Sequence, residues 1–590
     1  MGSRGWTIGA LALGWLLLLA LGGSTGDVAV LAQATTPTPP SGLASPHNVP
    51  ADAVAGIVQD AHGPIAGAVV RVQLTENKTT TAPDGRFLLS GIAETGTITI
   101  TAWSPGYYVG WTTAVAGTAP VTITMKPHYT TDNPEYDWFE FEGRTGSAAC
   151  ALCHTQYPEW AADAHAQAAV NPRFLSLYKG TDVHGNPGPL TRFDSDGKPQ
   201  PLSPDEPDYG PGFRLDYPNR AGNCAACHTP MASKIPNTQN CGWSGCHTNV
   251  TTEWSRGIIP TAPSPLDLSG TAAEGIGCDF CHKIGEVYLN PETGLPYPDM
   301  PGILSMRLYR PQEGQQLFFG TFDDIPRRDT YLPLEEESAF CAPCHYGVFG
   351  GIVGSGTVKD GVDIYTSYEE WLNSPYSDPE TGQMCQDCHM PVSDLEYIVY
   401  PEKGGLPRPN RLHDHRMAGA SDPELLQNAV TMTTTAQLQD GALHVAVAIT
   451  NDKTGHHVPT DVPLRHMILV VEAFDADGNR LALSEGPALP EWAGNYAGAA
   501  GKVYARVLQD EWTGEAPTAA YWRPVKEIAD TRLAAFATDI TEYVFPADGE
   551  RPVTVEARLI FRRAYQKLME QKGWQDPDIV MEQARVTVLP

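Results

Sequence analysis

The sequence predicts a multidomain chain: a β-sandwich near the N-terminus, an irregular and mainly short-helical region in the middle, and a C-terminal β-sandwich-like domain. Three observations predict it. Short alternations of apolar and polar residues, bounded by Gly, Pro and Asp turns, fill residues 51–127 and return over 426–590, as all-β sandwiches require. All twelve cysteines fall between these stretches, in residues 128–425. Helical periods in that middle region are brief and broken by glycine and proline, so long helices are not expected there.

Residues 1–34 read as an export signal. Arg4 supplies the basic start, Leu11 to Leu21 the apolar core, and Ala32-Gln33-Ala34 a small-residue cleavage site. The alternative is an uncleaved anchor over Trp6 to Gly23, which is near the minimum length for a span. Either way the chain is expected outside the cytoplasm, in the periplasm or at the cell surface. Residues 35–50 form a Pro/Ser/Thr-rich linker without apolar period.

In residues 51–127, Val69, Val70, Val72 and Leu74 mark one strand and Phe87 to Leu89 another, with turns at Gly63-Pro64 and Asp84-Gly85. Gly56-Ile57-Val58, the run Gly63 to Val70, Thr81, Asp84-Gly85-Arg86-Phe87 and Gly106-Tyr107 together resemble the carboxypeptidase regulatory-like (transthyretin-like) domain. The resemblance implies a sandwich that acts as a spacer or contact surface and carries no catalysis.

In the middle region, short helices are expected over Glu159 to Val170 and Tyr368 to Ser374. Beyond it, Ser421-Asp422-Pro423 signals a helix start. Leu443, Val445, Val447 and Ile449 share one strand face, and Met467, Leu469, Val471 and Ala473 share another. Asp475 to Asn479 reads as a turn between strands, not a calcium loop, because the full ligand spacing is missing. Val553 to Phe561 and Arg585 to Leu589 add strands near the end.

The cysteines form six pairs, each followed at once by histidine: Cys150-Cys153-His154, Cys224-Cys227-His228, Cys278-Cys281-His282, Cys341-Cys344-His345, Cys385-Cys388-His389 and the wider Cys241-Cys246-His247. Two thiols can form thioethers with the two vinyl groups of one porphyrin while the adjacent imidazole reaches its iron. A disulfide scaffold, zinc sites or iron–sulfur clusters would not require a histidine after every pair. With 17 histidines in 590 residues, that coincidence is not chance. The expected cofactor is therefore haem c, six per chain, with no cysteine left over.

The second axial position of each iron decides between carrier and enzyme. His165, eleven residues after His154, is too far along a helix to share its iron and should cap a neighbouring haem. His413 and His415 flank Asp414 in a polar loop. His456 and His457 stand in a loop at the end of the C-terminal sandwich, which would make that domain part of the redox unit. His184, His444 and His466 are weaker candidates. Tyr157-Pro158-Glu159-Trp160, with His165 five residues past the Trp, is echoed by Tyr368-Glu369-Glu370-Trp371, with Tyr376 in the equivalent place. A fainter echo is Glu253-Trp254, with Ile259 there.

The first motif with its Tyr-x-Glu-Trp-x4-His segment resembles the multihaem c-type cytochromes related to the nitrifiers' tetrahaem cytochrome and hydroxylamine oxidoreductase. So do Gly277 to Lys283, Cys385 to Pro391 and the Gly455 to Thr460 loop. The resemblance implies little regular structure, haems stacked in close pairs and mostly bis-histidine ligation. An excess of 69 acidic over 39 basic residues excludes nucleic acid as a partner and favours basic ones. The leading expectation is electron transfer with other redox proteins, such as basic cytochromes or a membrane quinol oxidase. The alternatives are an oxidoreductase of nitrogen or sulfur oxyanions at one open haem, and a self-associating or membrane-surface structural filament. No Cys-x-x-Cys-Lys motif supports nitrite reduction of that type, and no catalytic residue is assigned.

Overall fold

The computed structural model describes residues 49–590 except 134, 219–223, 235–267, 299, 327, 350–351, 355–356 and 360. The signal-like segment, residues 35–48 of the linker, the Cys241-Cys246-His247 motif and the Glu253-Trp254 echo with Ile259 lie outside the described residues.

Seven strands build the first sandwich: β1 (Val54–Gln59), β2 (Val69–Val72), β3 (Lys78–Thr80), β4 (Arg86–Leu89), β5 (Ile98–Trp103), β6 (Gly110–Ala114) and β7 (Val121–Thr124). They form two sheets, ordered β4-β1-β7 and β3-β2-β5-β6, around a core of Val58, Val70, Phe87, Ile100 and Ile123. The residues that carry the sequence resemblance have structural jobs. A side chain at Gly56 would meet the Val121 carbonyl at 2.5 Å, so the parallel β1–β7 pairing needs glycine. Thr81 Oγ1 donates to the Ile65 carbonyl at 2.7 Å and accepts from the Ala68 N–H at 2.8 Å, closing the β2–β3 end. Gly85 turns at φ 74°, where other residues are strained.

This sandwich is docked, not tethered. The Trp103 indole donates to the Tyr331 carbonyl at 3.1 Å, Thr330 Oγ1 to the Tyr107 carbonyl at 2.7 Å, and the Tyr108 hydroxyl to the Gln316 carbonyl at 2.8 Å. Asp324, 1% exposed, accepts from the Leu74 N–H at 2.8 Å and from Arg408 at 2.7 Å.

Among the described residues, the middle region is built of short helical turns and two-stranded ribbons. The helix expected over Glu159 to Val170 stops early: α1 spans Tyr157–Ala162. Asp163 leaves the helix in extended conformation, and its carboxylate takes the backbone N–H of His165 at 3.1 Å. Local capping by Asp thus outcompetes the continued helix, and His165 sits in a turn, not on a helical face. Further helices are α2 (Pro172–Lys179) and α3 (Ser367–Leu372).

After α4 (Pro423–Gln427), whose Asp422 cap accepts from the Leu425 N–H at 2.9 Å, strands return. These are β8 (Thr431–Gln439), β9 (Ala442–Thr450), β10 (His466–Phe474), β11 (Gly501–Asp510), β12 (Val525–Asp530), β13 (Thr538–Pro546), β14 (Val553–Arg562) and β15 (Ile579–Val588). The sheets β8-β9-β13 and β12-β11-β10-β14-β15 share one core, in which the two alternating faces named from the sequence are fully buried. Strand β10 is buried on its other face too, where Ile468 and Val470 pack with Leu489 and Ile560. Helix α5 (Gln566–Lys572) lies between β14 and β15.

Candidate haem-attachment sites

Each described motif is one turn of helix. The N–H of His154, His228, His282 and His345 donates to the carbonyl of the first cysteine of its own motif at 2.9, 3.1, 3.1 and 3.1 Å, and Cys385–His389 is itself a helix. Residues three and four apart share a helix face. The turn therefore sets both thiols and the imidazole on one side, as attachment to a single porphyrin requires. The ten described cysteines form no disulfide.

The motifs are brought together in sets. Thiol contacts join Cys150 to Cys278, Cys227 to Cys344, and Cys341 to Cys385. The Cys150 motif thus abuts the Cys278 motif, and the Cys341 motif abuts both the Cys224 and the Cys385 motifs.

Two imidazole pairs test whether the residues fit haem iron. The His165 and His345 ring centroids stand 6.2 Å apart, and so do those of His389 and His456. Imidazoles on opposite faces of one metal, with metal–nitrogen distances of about 2.0 Å, place their centroids about 6 Å apart. In each pair one histidine belongs to a Cys-x-x-Cys-His turn and the other does not. Among the described residues no group of three or more His, Cys, Asp or Glu side chains is arranged to hold a metal alone. Haem needs only two protein ligands, its other four coming from the porphyrin.

The second ring nitrogen supports the same fit. A metal-binding histidine ordinarily donates its other N–H to a carbonyl or carboxylate, which fixes the ring. Nδ1 of His228, His282 and His389 faces the carbonyls of Ala168, Phe319 and Ala418 at 3.1, 2.8 and 2.6 Å. Nδ1 of His413, His415 and His456 faces those of Met390, His413 and His457 at 2.7, 2.9 and 2.8 Å. His165 and His345 face carboxylates, Asp163 at 3.0 Å and Asp461 at 3.3 Å. In all eight, Nε2 is the nitrogen left for iron.

Electrostatics divides the histidines. Burial, helped by the charge of His282, holds His154 and His415 down to about 4, and burial holds His228 there too. These rings are neutral at neutral pH, the form that ligates metal. At His282 and His345 burial also pulls downward, but Glu335 and Asp461 outweigh it and raise both to about 9.

The C-terminal sandwich reaches into this region. Asp461 touches His345, and Glu370 of α3 accepts from the His457 N–H at 3.1 Å, from Thr366 at 2.6 Å and from Arg532 at 2.6 Å. His457 itself has Nδ1 3.5 Å from that carboxylate. The weaker candidates stay apart. His184 lies on an exposed loop capped by Asp182, and His444 lies within β9. His466 is buried in β10 between the rings of Trp492 and Tyr565. Sequence reasoning missed Glu335, Asp461 and the roles of Glu159 and Glu370. Only the last two had a signal, the recurring Glu-Trp.

Fold and site together define a chain in which two β-sandwiches flank a set of one-turn Cys-x-x-Cys-His helices, two of whose histidines face imidazoles from elsewhere in the chain. Residues 53–126 match the carboxypeptidase regulatory-like domain family, and the chain carries that domain. No curated protein matches the chain. Among solved structures it is similar to a penta-heme cytochrome c552 from Thermochromatium tepidum, with 20% identity and a TM-score of 0.47, over 75% of this chain and 99% of that one. A type II cohesin–X-dockerin complex from Acetivibrio cellulolyticus matches 14% of this chain and 60% of its own, with 20% identity and a TM-score of 0.12. A collagen-binding domain from a Staphylococcus aureus adhesin matches 27% and 97%, with 7% identity and a TM-score of 0.12. With TM-scores this low, the haem reading rests on the residues above.

Proposed function

We propose that this chain is a hexahaem c-type cytochrome that carries electrons outside the cytoplasm, related to the nitrifier tetrahaem cytochrome and hydroxylamine oxidoreductase group. The observation that carries the reading is the pair of imidazole couples at 6.2 Å, each joining a motif histidine to one from elsewhere in the chain. Haem bound there would supply one-electron cycling of iron. The protein's part is to attach it through the cysteine pairs, cap it with imidazole on both faces and fix each ring through Nδ1. Ligands held this way move little on a change of charge, and abutting motifs keep successive sites close. The acidic surface suits basic redox partners or a membrane quinol oxidase.

The pyridine haemochrome assay and mass spectrometry of the secreted protein test the count. Six haems per chain are expected; a stoichiometry of five or fewer would overturn the hexahaem reading. Ferric EPR should be dominated by low-spin signals.

A further inference from the structure

We propose that the haem region contains two copies of one haem-pair unit, and that Glu159 and Glu370 are its positioning residues. Each would hold the loop that carries the far-side ligand of the second haem, His415 opposite His282 in one copy and His456 opposite His389 in the other. The inference rests on the haem reading above and adds to it an order among the sites.

Equivalent contacts define the unit. Ser147 and Ser338 each stand three residues before the first cysteine of their motifs, Cys150 and Cys341. Their hydroxyls accept from the backbone N–H of Cys278 and Cys385, the first cysteines of the partner motifs, both at 2.9 Å. The Trp160 indole donates to the Ile276 carbonyl at 2.9 Å, and the Trp371 indole to the Gln383 carbonyl at 2.8 Å. Ile276 and Gln383 each lie two residues before those same cysteines. The leading thiols touch in both copies, Cys150 with Cys278 and Cys341 with Cys385. Finally, Glu159 Oε2 accepts from the His415 N–H at 3.0 Å, and Glu370 Oε2 from the His457 N–H at 3.1 Å. The same atom types thus recur in the same order at serine, thiol, indole and carboxylate.

The second copy shows what the carboxylate achieves. Glu370 is oriented by Thr366 and Arg532 before it takes the His457 N–H and the Thr460 hydroxyl. That grip fixes the loop on which His456 faces His389 at 6.2 Å. In the first copy the gripped loop carries His413 and His415. Of the two, His415 is the residue whose own backbone Glu159 holds, one place along from the second copy, where the held N–H is that of His457, next to the ligand His456.

The copies differ in one telling place. His165, past Trp160, stands against His345 and so lends a ligand from the first copy to the second. Tyr376, in the equivalent position past Trp371, stacks on Phe536 at 5.2 Å and lends none. His165 is then the tie between the units.

The test uses full-length secreted protein and follows haem content together with ferric EPR. His456→Ala and His415→Ala each should convert one low-spin signal to high spin, and the two signals should differ. Glu370→Ala should perturb the signal lost in His456→Ala, and Glu159→Ala the one lost in His415→Ala. Haem content should be unchanged, because the cysteines are intact. Glu370→Gln and Glu159→Gln keep an acceptor oxygen in place and should restore the parent spectrum. The proposal is overturned if His413→Ala, not His415→Ala, creates the high-spin site. It also fails if the Glu→Ala variants leave every signal where it was, or if the Gln variants behave as the Ala ones. A parent protein with too few haems would instead sink the haem reading itself.

Discussion

At the residue scale, the grouping of two thiols and an imidazole in each described motif could be read from spacing alone, because residues three and four apart share a face of one helical turn. What the sequence hides is the group behind each imidazole. Asp461 lies 116 residues beyond His345 in the chain, and no local pattern links them. Yet that carboxylate is what distinguishes His345 from His389, whose Nδ1 faces only a carbonyl. A carboxylate partner makes an imidazole a stronger donor, and a stronger donor favours the oxidised metal. On the proposed function, Asp461→Asn should therefore raise the reduction potential of the haem that His345 would hold, by on the order of tens of millivolts. Potentiometric titration followed by EPR of that signal checks it, and an unchanged or lowered potential would refute it.

At the element scale, the strands were legible because period-two alternation over nine or ten residues admits few alternatives. The short helices were legible in place but not in length: Asp163 ends α1 where a purely periodic reading runs on to Val170. The Glu-Trp echo was legible, but the rest of the proposed repeat was not, for a related reason. Trp160 follows His154 by six residues, whereas Trp371 follows His345 by twenty-six, so the repeat has no fixed period. Helix α5 shows another long-range tie. Its Lys572, fully buried, donates to the carbonyls of Ser176, Thr181 and Pro211 at 3.2, 3.2 and 2.8 Å. Burial holds its pKa down to about 7, below the roughly 10.4 of an unfolded lysine. The unfolded chain then binds more protons between these values. The contribution of Lys572 to stability is thus most favourable above about pH 10 and falls as the pH drops toward 7, by at most about 1.4 kcal/mol per pH unit. Denaturant titrations at several pH values should show this slope in the parent and not in Lys572→Met. A slope that persists in the variant would assign it elsewhere.

At the scale of the whole molecule, the sequence showed three regions but not how they join. The joins are made by single buried polar residues whose partners lie far away in the chain. Asp324 is the clearest, binding the Leu74 backbone in the first sandwich and the Arg408 guanidinium in the haem region, with both side chains at most 3% exposed. Arg408 also lies over the Phe322 ring at 4.3 Å, so its charge cannot turn to solvent without losing that contact. Removing one partner of such a buried pair leaves the other charge uncompensated, at a cost of about 3–5 kcal/mol. The ion pair lies within the middle region, on the surface that receives the first sandwich, and Asp324 also holds the Leu74 N–H there, so its loss unsettles the seat on which that sandwich docks. Asp324→Ala should therefore free the first sandwich while leaving haem attachment intact. Limited proteolysis should then release a fragment close to residues 51–127 much faster than from the parent, at unchanged haem content. As a control, Arg86→Ala breaks only an exposed contact with Asp84 at 3.4 Å, a class of interaction that contributes about 0–1 kcal/mol. It should leave the cleavage rate alone. If Asp324→Ala were cleaved no faster than that control, the first sandwich would be held by its apolar contacts around Tyr108 and Phe319 instead.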